Sequence, residues 1–341
     1  MAAGGFKEFV AGEVLDQDDI NDYLMQGVLV FAGTAARGSA IGTAVEGQFA
    51  FLKDTDTLTY YSGTAWEELA SIPSAVVSAT TGSPTLGTVT SGGDTFNVYS
   101  YTGDGSITFS SAGTVDVLVL SGGAGGGSTG STNNTGCGGG GAGGWVRLPN
   151  FFVGAGTATV TVGAGGAAAT NGGQSVFAGL IVMPAGGAGT SAFGRNGASG
   201  GGEGIGSGNP MAIGLSVSPA IGNNGGEGFS GPLASQSGGG GGGQGAVGGN
   251  AASTVGGAGG AGVASDITGT SLFYAGGGGG GGRAGGGGAG GSSIGGAGGS
   301  NSAGVSASPA NRGSGGGGAG GTSGLSGGNG SAGVVIVRVK I

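Results

Sequence analysis

The chain has 341 residues, of which 99 are glycine, 17 acidic and nine basic, with no histidine and a net charge of −8. Only 8% of residues are charged and the mean hydropathy is +0.22, unlike the polar, highly charged composition of disordered chains. The acidic balance leaves no basic footprint for nucleic acid. There is no signal-peptide core and no run of 18 apolar residues, so the sequence predicts a protein made in the cytoplasm without a membrane helix. The lone Cys137 cannot form an intrachain disulfide.

The first 70 residues are the most conventional. Asp16 suits a helix N-cap, and Asp18 and Asp19 suit the positive end of a helix dipole. Ile20, Tyr23 and Leu24 fall at i, i+3 and i+4, and Gly27 ends the helix. At about ten residues it is too short to stand alone in water, so it calls for copies of itself or a neighbouring protein. Phe9, Val14, Leu15, Ile20, Tyr23 and Leu24 are the candidate assembly residues. A short strand at 28–31 follows, then a meander through 34–41, 46–52 and 57–61 that closes at Trp66, with Asp54 and Asp56 in a turn.

Residues 71–93 are rich in Ser, Thr, Gly and Pro and read as a linker. Alternation returns at 95–101 and 106–109, and the more continuously apolar 115–120 predicts a central strand. A glycine excursion occupies 122–144. Trp145 brings the chain back, and further strands are expected at 157–162 and 175–182. Then come about 150 residues dominated by glycine, including runs at 238–243 and 276–282, before a well-formed strand at 334–341. A free tail has no reason to end in such a strand, whereas a loop-out that returns to complete a sheet does.

Glycine loses more backbone entropy on ordering than any other residue, so this region is either linker or an unusual lattice. Eight prolines and broken triplets exclude collagen. Polyglycine II has the left-handed threefold geometry of polyproline II, and every glycine keeps its N–H for lateral bonding. The triplets of 256–262 and 295–300 suit that period.

Two stretches carry a resemblance. Phe9 to Leu15, Ile20 to Met25, Glu46 to Asp56, Tyr60, Tyr61 and Trp66 resemble, in order and spacing, a module of minor tail proteins from phages of actinobacteria. Thr95, Phe96, Ile107, Val115 to Leu120, Gly138 to Arg147, Thr157 to Gly166, Gly172 to Phe177 and Gly333 to Arg338 resemble the glycine-rich domain of phage tail fibres and receptor-binding tips. The resemblance implies a virion protein of the distal tail, threefold assembly, and attachment to other tail proteins through the N-terminus.

The expected fold is mainly β: a small N-terminal helix and meander, then a β-sandwich framing a polyglycine II lattice with apical loops. The expected divisions are an attachment module at 1–70, a linker at 71–93, a β-rich start of the glycine-rich domain at 94–195, the lattice at 196–333 and a closing strand at 334–341. Catalysis lacks its parts. Without histidine the common triads and His-based metal sites are missing, Cys137 has no base to activate it, and none of Lys7, Lys53 and Lys340 follows a glycine as a phosphate loop requires. The expectation is therefore no enzyme, no cofactor and no metal.

Side chains on ordered loops offer contact area at small entropic cost. Phe193, Arg195, Met211, Ile213, Phe229, Leu272, Phe273, Tyr274 and Arg312 are the candidate contacts for a bacterial surface receptor, glycan or glycolipid rather than protein. The same side chains would equally serve as plugs at the ends of the glycine bundle. A purely structural tail spacer or cap is thus the competing expectation.

Overall fold

The computed structural model describes residues 28–69, 73–130, 136–205, 212–232 and 235–341. The expected helix near Ile20 and all six assembly candidates (Phe9, Val14, Leu15, Ile20, Tyr23, Leu24) lie outside the described residues, as does Met211. The described chain is mainly β and falls into two units, Met1–Ile72 and Pro73–Ile341.

The first unit is a four-stranded sheet in the order β1 (Leu29–Phe31), β2 (Phe49–Leu52), β3 (Thr57–Tyr61), β4 (Trp66–Glu68). Residues 34–40, expected within the meander, instead form helix α1 (Thr34–Ala40) and carry the crossover between the parallel strands β1 and β2. Parallel neighbours need such a crossover, and three alanines favour the helix. Arg37 pins α1 to one face of the sheet. Its Nη1 donates to Thr59 Oγ1 (2.9 Å), and its guanidinium stands 4.4 Å over the Trp66 ring.

The second unit begins with two facing five-stranded sheets. One runs β10 (Trp145–Val153), β9 (Gly113–Leu120), β16 (Val334–Lys340), β7 (Asp94–Tyr101), β6 (Thr85–Ser91). The other runs β13 (Ile181–Met183), β12 (Ser175–Phe177), β11 (Gly156–Thr161), β8 (Gly105–Ser111), β5 (Val76–Thr81). The expected linker is therefore wrong for most of its length: β5 and β6 are edge strands of opposite sheets. Their Thr and Val are good strand formers despite a loop-like composition. The turn between them puts Gly82 and Ser83 at positive φ (77° and 50°). The expected strand at 175–182 is a hairpin, because Ala178 and Gly179 both take positive φ (54° and 67°).

The final strand does close a sheet, at its centre. β16 pairs antiparallel with both β7 and β9. Val335, Val337 and Val339 enter the core between the sheets with Tyr101, Phe109 and Phe177. Val334 and Ile336 face outward into a second cluster with Leu118, Leu120, Ile267 and Tyr274. The one charge β16 buries is matched: Arg338 is paired with Asp116 (Nε to Oδ2 3.0 Å) and lies 4.4 Å over the Phe96 ring.

Where β9 and β10 leave the sandwich, the chain continues as extended glycine rods bonded side to side. The excursion expected at 122–144 supplies two of them, so the lattice begins well before residue 196. Rod 136–144 shows the rule. Cys137, Gly140 and Gly143 donate to Ala319, Gly316 and Gly313 of one neighbour; Gly138 and Gly141 donate to Thr190 and Gly187 of a second; Gly139 and Ala142 donate to Gly239 and Gly242 of a third. Its carbonyls accept from three more rods, through Ala124, Gly202 and Gly278, with all of these bonds at 2.8–3.0 Å. A direction that recurs every third residue, in six-neighbour packing, is polyglycine II.

Rod 276–282 likewise has six neighbours. Gly277, Gly278 and Gly279 donate to Gly260, Gly140 and Gly296, while Gly241, Gly288 and Gly318 donate to Gly278, Gly280 and Gly279. No side chain fits there: a Cβ on Gly278 or Gly139 would meet the carbonyl oxygen of Gly316 or Gly278 well inside 3.0 Å. At the margins, asparagine replaces a missing neighbour. The amide oxygens of Asn171, Asn196, Asn224, Asn250 and Asn329 accept the backbone N–H of Ala188, Leu215, Ser216, Glu227 and Ala168 at 2.8–3.1 Å.

Candidate binding surfaces

The rods give the lattice two ends. Rod 276–282 starts at Ala275, against the sandwich, and a seven-residue threefold rod covers about 20 Å. Its last glycine precedes Arg283, which therefore marks the far end. The contact candidates divide between these ends and do not form one site.

Leu272, Phe273, Tyr274 and Arg312 belong to the sandwich end. The first three form β15 (Leu272–Tyr274), paired with β14 (Val263–Ser265) in a hairpin over the outer face of the β16 sheet. Tyr274 is only 3% exposed, and burial pushes its hydroxyl pKa upward. Leu272 packs against the same cluster, and the Arg312 guanidinium lies 4.8 Å over the Tyr274 ring with Nη1 near the Phe273 carbonyl (3.5 Å). Tyr274 is thus an end plug with no free face for a partner. Only Phe273 of the three strand residues points outward, 49% exposed. Arg147 and Asp266 tie the hairpin to β10 through an ion pair of 2.6 Å; that contact holds the Asp266 carboxyl below the usual carboxylate range.

Phe193 and Phe229 lie toward the far end. Phe193 is exposed and follows the rod whose Thr190 bonds Gly138, and the Thr190 hydroxyl donates to its carbonyl (2.5 Å). Arg195 is exposed on the returning segment, where its N–H bonds the Ala188 carbonyl. Phe229 is half-buried and closes its loop by exchanging backbone bonds with Ser237. Ile213 is half-buried on a marginal rod.

Sequence reasoning missed how the turns of the far end link to one another. Thr254 N–H donates to Ser235, Arg283 N–H to Thr254, and the Ser300 hydroxyl to Arg283, joining four turns into one rim. Their sequence signal is a short interruption of a glycine tract: two residues at Arg283 and Ala284, four at 300–303 and six at 250–255. Glu203 was missed as well. It is 2% exposed on a rod reaching this end; its Oε2 accepts the Gly228 N–H (3.0 Å), while Oε1 is buried with no partner among the described residues. Burial, and after it the neighbouring Glu227, raise its pKa; the Gly228 and Ala212 N–H groups pull the other way. Among the described residues no group of three or more His, Cys, Asp or Glu could hold a metal ion.

A β-sandwich whose strands extend into a six-neighbour glycine lattice defines the class of protein. The family model described as a glycine-rich domain matches residues 99–340, and the chain belongs to that family. Comparison with curated proteins gave no match.

Proposed function

We propose that the chain is a structural protein of a phage tail, a minor tail protein or fibre tip, whose glycine lattice presents its far-end turns to a receptor on a bacterial surface. The observation that carries this reading is the lattice itself. Each inner rod is fixed by six neighbours, so the turns at its ends start from a rigid base and lose little freedom on binding. The resemblance of residues 9–66 to tail modules supplies the virion setting: attachment to other tail proteins through the N-terminus and association of three copies. With Phe193 and Phe229 toward the far end among Ser, Thr and Asn, a glycan or glycolipid is the ligand class that fits. The chain acts by binding and not by catalysis, and it uses no nucleic acid.

A spacer role is the second reading, favoured by the division of the contact candidates between two ends. The labelled chain should bind actinobacterial host cells and compete with phage for adsorption. Joint Phe193→Ala and Phe229→Ala substitution should weaken binding at least tenfold, and Phe273→Ala, at the opposite end, should leave it unchanged. A chain that never binds cells, yet whose loss from the phage blocks tail assembly, would establish the spacer instead.

A further inference from the structure

The outer rods lack neighbours, and the sequence answers that lack in a regular way. Rod 256–262 bonds four rods, 238–243, 245–249, 276–282 and 286–290, where an inner rod bonds six. On its two open sides the N–H groups of Ala258 and Ala261 donate no backbone bond among the described residues, and the carbonyls of Gly256, Gly259 and Gly262 accept none. Such rows of unpaired groups are to a glycine lattice what an open edge strand is to a sheet, a template on which another chain can pair. The side chains stand on one of those open sides. Within the lattice, a Cβ on any residue points at the rod that donates to the carbonyl of the next residue. On Gly277 it would meet Gly241, which donates to Gly278; on Gly279 it would meet Gly288, which donates to Gly280. By the same threefold geometry, the methyls of Ala258 and Ala261 project where a rod donating to Gly259 and Gly262 would lie. The pattern recurs on the neighbouring rods: Ala289 precedes the unpaired carbonyl of Gly290, and Ala297 that of Gly298. Of the glycines in 256–299, only Gly286, at positive φ (109°), would hold a Cβ clear of atoms within 3.0 Å. Glycine therefore stands where a methyl cannot fit, and alanine where the lattice could be extended.

We infer that these methyls close the lattice: they keep its outer rods from bonding a glycine rod of another copy, which the bare wall would otherwise take up. A rod arriving on the open carbonyls would set its own carbonyl oxygens against each methyl, at the separation that excludes a Cβ throughout the interior. Chain direction sets no other bar. Rod 256–262 already runs parallel to 238–243, through Gly257 to Gly238 and Gly260 to Gly241, and antiparallel to 276–282, through Gly277 to Gly260 and Gly280 to Gly257. Charge sets none either, since 245–262 and 286–299 contain no Asp, Glu, Lys or Arg. Sheet proteins guard their edges with charge, proline or bulges; on this wall the guard is a single carbon repeated every third residue.

The test removes the methyls from the full chain by joint Ala258→Gly, Ala261→Gly, Ala289→Gly and Ala297→Gly substitution. Light scattering should show the variant growing with concentration to at least twice the wild-type mass, while its thermal unfolding stays cooperative. Serine at the same four positions keeps each Cβ and should hold the wild-type mass. A glycine variant that stays at the wild-type mass at every concentration overturns the inference. Growth of the serine variant to the same extent overturns it too, because the methyl carbon would then not be the guard. So does a glycine variant that grows only after its cooperative transition is lost, since the unfolded chain and not the wall would be associating. Each comparison is with the wild-type mass, so the outcome is independent of the number of copies in a tail and of receptor binding.

Discussion

Val335, Val337 and Val339 of β16 hold the sandwich by filling space between two sheets, while the glycines of rod 313–320 hold the lattice by leaving none to fill. In the first region each buried side chain contributes about 1.5–3 kcal/mol. In the second, each backbone bond nets only about 0.5–1.5 kcal/mol, against an ordering cost of roughly 1–2 kcal/mol per residue. Single bonds barely offset that cost. The lattice persists because each inner residue both donates and accepts, so that no rod can leave without unpairing buried groups on six others. The sandwich is damaged by removing atoms and the lattice by adding them.

The sharpest test of that contrast is Gly278→Val. Its Cβ meets the Gly316 carbonyl, which is backbone and cannot rotate away. Overpacking in a tight core costs about 1–3 kcal/mol, and here the displaced rod also loses buried bonds, so we expect the unit to fail to fold cooperatively in thermal denaturation. Ala258→Ser, at an exposed rod position, should shift the midpoint by less than a degree or two, within the small effect of surface changes. In the sandwich the matching test is deletion. Phe177→Ala removes a fully buried ring and should cost about 3–5 kcal/mol, measured by denaturant unfolding, with the transition still cooperative. If Gly278→Val proves milder than Phe177→Ala, the lattice is softer than its bonding implies.

The same contrast explains what could be foreseen. The closing strand was legible because Val334 to Val337 is an unbroken run of β-branched apolar residues after which Arg338 and Lys340 alternate with Val339, and the lattice because glycine triplets leave few other ways to satisfy the backbone. β5 and β6 were not, since Ser, Thr and Gly mark both loops and edge strands, and only pairing to β8 and β7 separates the two. Helix α1 was obscured by its shortness, and the hairpin at 178–179 by a turn whose first residue is alanine. Among the contact candidates, a residue's type said that it needed a place but not which. Tyr274 found it in the cluster with Leu118 and Ile336, and Phe273, next in the chain, faces solvent. The far-end rim was hidden because which turns become neighbours depends on how rods stack, and every rod has nearly the same sequence.

The two regions also differ in how they bury charge, which gives a gentler probe. The sandwich pairs its buried Arg338 with Asp116, while the lattice encloses Glu203 with Glu227 nearby and an Oε1 that has no partner among the described residues. The Glu203 pKa is raised in the folded chain, chiefly by burial. Below the carboxyl pKa of the unfolded chain, both states are protonated and the residue is neutral toward stability. As pH rises past that value the unfolded chain ionises first, so the fold loses stability progressively until the folded pKa is passed. Thermal midpoints of the wild-type chain should therefore fall as pH rises above about 4.5, and Glu203→Gln, which cannot ionise, should flatten that slope while matching the wild-type trend below it. A Glu203→Gln variant whose midpoint follows the wild-type slope would mean that Glu203 is ionised and solvated in the fold, and that the far end of the lattice is open to water.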